Sequence, residues 1–222
     1  MVETAYAIDQ TALRESSAVS HSDVQPALDR LDPAAWQGSR DRTTKLQDIV
    51  SSLEGSTPLL KHALETAAAF DHDTIDLPGP TGESNRLTLH PRGTVLCLGP
   101  DTELAMAQVL RTLAVGGVAV LIVPDANSAV EPLLETSMPV AALDGLLELA
   151  SLETLSGFAA VASAADERSL RAIRMSLATR NGEIIPLITE VVAPHRYIVE
   201  RHLCVDTTAA GGNASLLAEA GE

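Results

Sequence analysis

Residues able to do covalent chemistry are few in this sequence, and no carboxylate pair stands out from its general acidity. Of the two cysteines, Cys97 sits inside the apolar run Val95-Leu96-Cys97-Leu98. A nucleophilic thiolate needs an electropositive, accessible setting with a base beside it, so the run predicts a small core residue instead. Cys204 follows Arg201 and His202, cations that would lower its pKa if they faced it. On a strand His202 and Cys204 share one side and Leu203 takes the other, and packing in a core or an interface is the stronger reading. The six histidines show no ligand spacing. HExxH, paired CxxC and P-loop patterns do not occur. Asp71-His72-Asp73, with Asp76 nearby, could hold a stray cation but reads as a polar linker. No catalytic residue and no metal-ligand set emerges.

Dinucleotide binding needs glycines in a strand-to-helix turn, so that backbone N–H groups can approach a pyrophosphate. The two turns of that kind are Leu98-Gly99-Pro100-Asp101 and Val123-Pro124-Asp125. Each has Pro-Asp where a close-approach glycine belongs. Proline removes a donor, and aspartate sets a negative charge at the helix end that should hold phosphate. Both turns suit helix capping better. The expected cofactor set for this chain is none.

Two segments retain information. In the first, Pro78, Gly79, Pro80, Thr81 and Gly82 forbid regular structure; with Glu83, Asn85 and Arg92 they predict an ordered turn or an exposed loop. The second runs from Cys204 to Leu217. Its Thr207, Thr208, Ala209, Ala210, Gly211, Gly212, Asn213, Ala214 and Ser215 combine hydrogen-bonding side chains with a Gly-Gly pair, flanked by Leu203, Val205, Leu216 and Leu217. Such a stretch could lie flat against another protein. Composition alone leaves docking and a disordered Ala/Gly tail equally open.

The elements that would position these segments follow from periodicity. Residues 1–38, rich in Ser, Asp, Ala and Pro, read as a mobile leader with a short helix near Ala7 to Ala18. Leu46, Ile49, Val50 and Leu53, then Leu60, Ala63, Leu64 and Ala67, predict a helical hairpin over 39–74, with Thr57 and Pro58 opening its second helix. A repeated β-then-α pattern follows over 75–196. Arg86 to His90 is expected as a short strand, and Val95–Leu98, Gly117–Val123, Val140–Leu143, Phe158–Ala162 and Ile184–Thr189 as further strands. Helices are expected over 101–115 and 166–179, the latter opened by a Ser163/Asp166 capping box, with two more around Val140–Leu143. Strands apolar on both faces belong to parallel sheets covered on both sides. The predicted fold is α/β: a Rossmann-like, doubly wound, mostly parallel sheet, preceded by the helical hairpin and ending in a strand-like tail over 197–222.

Composition narrows the function classes. With 222 residues and 45% hydrophobic content the chain can bury a sizeable core, built from Ala, Val, Leu and Ile because aromatics are only 2%. A formal charge of -15 disfavours nucleic acid and anionic membranes as partners. No apolar run suits a transmembrane segment, and the start lacks a secretory signal, so a reducing, cytoplasmic setting is expected.

The segments LPGPTGESNRLTLHPRGTVLCL (77–98) and VERHLCVDTTAAGGNASLL (199–217) together resemble the C-terminal region of the long proline utilization A family. Its members are bifunctional flavoproteins with proline dehydrogenase and L-glutamate-γ-semialdehyde dehydrogenase activities. The resemblance spans about residues 40–218. It implies a non-catalytic, aldehyde-dehydrogenase-like Rossmann domain that packs on the catalytic dehydrogenase module, in cis or in trans. It further implies that the tail, Thr207 to Ser215, helps cover the cavity through which the intermediate passes. Asp206 stands where the family usually has Asn. FAD and NAD, with the catalytic Cys and Glu, are implied for upstream modules that these 222 residues do not contain. Two alternatives stand beside this one: a semialdehyde dehydrogenase fragment with residual NAD binding, and a self-associating domain that has lost its partner, forming a homo-oligomer.

Overall fold

The computed structural model describes residues 17–37, 41–52, 57–68, 74–80, 82–191 and 193–206. Its centre is a five-stranded parallel sheet of β4 (Thr94–Cys97), β5 (Val118–Val123), β6 (Val140–Asp144), β8 (Ala160–Ala162) and β9 (Leu187–Ile188), in the order β6-β5-β4-β8-β9. Side chains alternate across it. Val95, Cys97, Ala119, Leu121 and Val123 face one core; Leu96, Val120, Ile122 and Val161 face the other. On the first face lie α3 (Arg42–Ser52), α4 (Pro58–Ala68), α5 (Thr102–Ala114) and α6 (Ala126–Glu135). On the second lie α1 (His21–Asp29), α7 (Glu167–Ala178) and a 3-10 turn at Leu149–Glu153. This is a doubly wound α/β fold, as the two-sided apolar strands imply.

Helices α3 and α4 pack on each other and on α5. Carbonyls at the end of α5 also accept from side chains outside the helix. Trp36, in the short helix α2 (Pro33–Gln37), donates Nε1–H to Leu113 O at 2.9 Å, and Arg42 Nε donates to Ala114 O at 2.9 Å.

The expectation of a mobile leader over 1–38 is corrected for residues 17–37. Ala18–Val19 is a strand, β1, paired in parallel with β7 (Leu146–Leu147). Helix α1 follows, with Ser20 and Asp23 as its capping box, and buries Val24 and Leu28 in the second core. Val24, Ala27, Leu28 and Leu31 fall at i, i+3, i+4 and i+7, an apolar face that the surrounding Ser, Asp and Pro residues obscure. The helix expected near Ala7 to Ala18 falls on residues 7–16, outside the described residues, and on Ala18, which is extended.

Two caps differ from expectation. Asp166, rather than Ser163, is the N-cap of α7 and accepts Ser169 N–H at 2.8 Å. Asp101 caps α5 by accepting Leu104 N–H at 2.8 Å, as its position implies. Asp125, however, sits at the head of α6 in the left-handed region (φ 60) and makes no side-chain cap bond. Asp144, from the end of β6, takes that role, accepting from Asn127 N–H and from Asn127 Nδ2, both at 2.8 Å.

The expected extent of the Rossmann-like unit, 75–196, also changes. β2 (Ile75–Leu77) and β3 (Glu83–Pro91) leave the parallel sheet and join β10 (Ile198–Asp206) in a separate antiparallel sheet, ordered β10-β3-β2.

Two outcomes test these assignments. Leu28→Ala lowers the unfolding free energy by roughly 2–5 kcal/mol, the range for a buried leucine, in urea denaturation. A loss under about 0.5 kcal/mol, the level of surface substitutions, would place α1 outside the core. Asp144 is held below its ordinary pKa by the side chain and then the backbone of Asn127. A depressed carboxylate contributes its stability above its unfolded pKa and loses it as pH falls through the folded value. Asp144→Ala therefore costs roughly 0.5–2 kcal/mol at neutral pH, and the gap between wild type and variant narrows on acidification. A gap that stays constant in thermal melts down the pH series would contradict the cap.

Candidate docking site on the antiparallel sheet

Strands β3 and β10 pair over nine residues, from Ile198 opposite Pro91 to Asp206 opposite Glu83. Cross-strand partners share a face, so the register sorts the side chains. One face carries Ile75, Leu77, Leu87, Leu89 and His202; the other carries Val199, Leu203, Val205 and the Asp76–Arg86 ion pair (3.3 Å). Leu89 packs against the main core at the root, but farther out neither face is closed. Ile75, Leu77, Leu203 and Val205 are between 37% and 59% exposed, and β10 is exposed from Glu200 onward. A small sheet with two wet faces lacks the buried apolar side that sheets of this size need.

Its root is Arg92. The backbone N–H of Arg92 donates to Tyr197 O at 3.0 Å, Nε to Arg196 O at 3.0 Å and Nη2 to Ile198 O at 3.0 Å. One residue thus ties the β3–β4 junction to the start of β10, just after the 3-10 turn Pro194–Tyr197. Arg92 therefore does not belong to the turn with which the sequence groups it. It lies just past the opposite end of β3 from Glu83, about 31 Å away at a rise of roughly 3.4 Å per residue.

The other expected turn residues come together at the far tip. Glu83 N–H donates to Pro80 O at 3.0 Å, and Gly82 has φ +89. A Cβ on Gly79 would stand 2.6 Å from Asn85 Nδ2, so a larger residue there would require the Asn85 side chain to shift. Thr81 lies outside the described residues. So do Thr207, Thr208, Ala209, Ala210, Gly211, Gly212, Asn213, Ala214 and Ser215; the described strand ends at Asp206, beside this tip.

Electrostatics at the tip are acidic. Asp206 stands directly across from Glu83, an arrangement of like charges that disfavours pairing. Cys204 is exposed, and its Sγ donates to Glu83 Oε1 at 2.9 Å. That bond, with the charges of Glu83 and Asp206, raises the thiol pKa and keeps the nucleophilic form scarce. Arg201 points to the opposite face. Periodicity missed Ile75, Leu77 and the full length of β3, because two wet faces blur alternation; the β-branched and aliphatic residues at 75, 77, 203 and 205 were the available signal.

Burial pushes the Cys97 thiol up to about 12. Among the described residues no group of three or more His, Cys, Asp or Glu could hold a metal ion. At the turn after β4, Gly99 N–H donates to Gln108 Oε1 at 3.2 Å, and Gln108 Nε2 returns a bond to Gly99 O at 3.2 Å. The amide that would meet a pyrophosphate is engaged internally, Pro100 offers none, and Asp101 fills the helix end. These residues do not fit a dinucleotide phosphate at that turn. Among the described residues no helix is long and apolar enough to cross a membrane.

No family model matches the chain. It is 38% identical over 148 residues to the bifunctional protein PutA of Escherichia coli (strain K12), a match covering 64% of this chain and 11% of that protein. The chain thus spans about a tenth of the curated relatives' length. Its fold matches the crystal structure of a Bradyrhizobium japonicum proline utilization A variant with TM-score 0.64 at 22% identity, covering 82% of this chain and 23% of the other. It also matches apo betaine aldehyde dehydrogenase from Staphylococcus aureus with TM-score 0.59 at 12% identity, over 77% of this chain and 42% of the other. The chain is thus similar in sequence to part of the PutA proteins, and its fold is shared with proline utilization A and aldehyde dehydrogenase structures.

Proposed function

We propose that the chain is a non-catalytic accessory domain of a system that oxidises proline to glutamate, and that it docks on the L-glutamate-γ-semialdehyde dehydrogenase module through its antiparallel sheet and the tail after Asp206. The observation that carries this reading is the exposed apolar pair of faces on β10-β3-β2. A sheet so rooted at Arg92 and so uncovered at Leu203, Val205, Ile75 and Leu77 is built for a second surface. The tail, Thr207 to Ser215, follows Asp206 in the sequence and would cover the cavity between the active sites. FAD and NAD belong to the catalytic modules in this reading, and the chain itself holds neither.

Association with a PutA protein trimmed of its matching C-terminal region tests the proposal. Adding the chain restores the coupled rate from proline to glutamate, followed as NADH formation. Leu203→Asp, on an exposed position, weakens association about tenfold or more, the scale of ~1.4 kcal/mol. Asp206→Asn strengthens it by removing the charge opposite Glu83. Equal coupled rates with and without the chain would rule the accessory role out. A micromolar NAD isotherm would instead support the reading as a semialdehyde dehydrogenase fragment.

A further inference from the structure

The parallel sheet has its topological switch between β4 and β8. From β4 the chain winds outward through β5 and β6; through β8 it winds the other way to β9. Open α/β sheets take ligands in the crevice beyond the carboxyl ends at such a point. A cavity of about 310 Å³ lies there, at the lower end of the roughly 300–1,000 Å³ range of small-molecule sites. Its aliphatic walls converge from separate parts of the chain: Leu98 after β4, Ile122 on β5, Leu147 and Leu149 at and after β7, and Ile173 on α7. Leu98, Leu147 and Leu149 pack against the second core yet stay only half-buried, which leaves apolar surface uncovered.

The polar lining is gathered into one stretch, from Ser163 to Ser169. Ser163 directly follows β8 and is 1% exposed. Its backbone N–H donates to Ile188 O at 2.9 Å, while its hydroxyl makes no hydrogen bond among the described residues. A hydroxyl so nearly buried gains by finding a partner. The lining holds one charged side chain, Arg168, and no carboxylate. Arg168 is exposed, lies in the first turn of α7 and forms no ion pair among the described residues. Its acidic neighbours in the chain are engaged elsewhere: Glu167 pairs with Arg174 at 2.7 Å, and Asp166 accepts Ser169 N–H at 2.8 Å. The cavity is therefore amphipathic, aliphatic on most sides and cationic along one.

The structure assigns this crevice as a binding site for a small aliphatic monocarboxylate. The leucine and isoleucine walls take the hydrocarbon body. Arg168, at the mouth, takes the carboxylate with its planar fork of donors, and the Ser163 hydroxyl adds a donor from the same wall. A single cation matches a single negative charge, whereas a dinucleotide would need the helix-end amides that Asp101 and Asp166 already hold. This site is separate from the docking surface and stands or falls without it.

Titration of the full chain, followed by the backbone amide resonances of residues 163–173, tests the assignment with octanoate, 1-octanol and acetate as probes at about pH 8, where both acids are ionised. Octanoate shifts these resonances saturably and binds more tightly than octanol, which lacks the charge, and than acetate, which lacks the body. Arg168→Gln, a change between two good helix formers, weakens octanoate binding about fivefold and leaves octanol binding unchanged. Ser163→Ala also weakens octanoate binding, with no fall in the unfolding midpoint. Octanol or acetate binding as tightly as octanoate, no saturable response to octanoate, or either variant with wild-type octanoate affinity would each overturn the site.

Discussion

The antiparallel pairing of Glu83–Pro91 with Ile198–Asp206, anchored by Arg92, decides how the rest of this molecule can be used. It recruits a segment that precedes the parallel sheet and a segment that follows it, and projects both away from the core. Backbone hydrogen bonds exposed to water contribute little net stability. The projecting sheet therefore depends on what its apolar side chains meet. Within the chain they meet little, which is why its faces carry the functional reading rather than any cleft of catalytic residues.

The same economy appears at the sheet's carboxyl end. A doubly wound fold presents helix amides and turn glycines where nucleotides bind, yet here those donors are satisfied internally by Gln108, Asp101 and Asp166. Asp101 and Asp166 take first-turn amides of the two helices beside the switch point. Structural capping and cofactor binding compete for the same amides, and capping has won at both turns flanking the switch point.

Much of this was legible in the sequence. Strands such as Val118–Val123 are apolar on every residue, and no arrangement other than a two-sided core satisfies them. Asp101 could be read as a cap from its place before an amphipathic helix. Asp125 could not be told from it, because the φ that turns its side chain away and the approach of Asp144 from β6 are tertiary facts. The segment 17–37 was misread for a similar reason: Val24 and Leu28 make a core contact only because β7 and the second sheet face are already there. Ile75 and Leu77 come to one face, and Leu203 and Val205 to the other, through strand register across more than a hundred residues, which no local pattern encodes. The tail motif, conversely, is explicit in the sequence and lies outside the described residues.

The central claim is that the antiparallel sheet is completed by a catalytic partner. Amide hydrogen exchange on β3 and β10, measured for the chain alone and mixed with a PutA protein lacking the matching region, tests it most directly. The account predicts that protection along β3 and β10 rises on mixing while the parallel strands β4, β5 and β8 are unchanged. Unaltered exchange along β10 at saturating partner would contradict it.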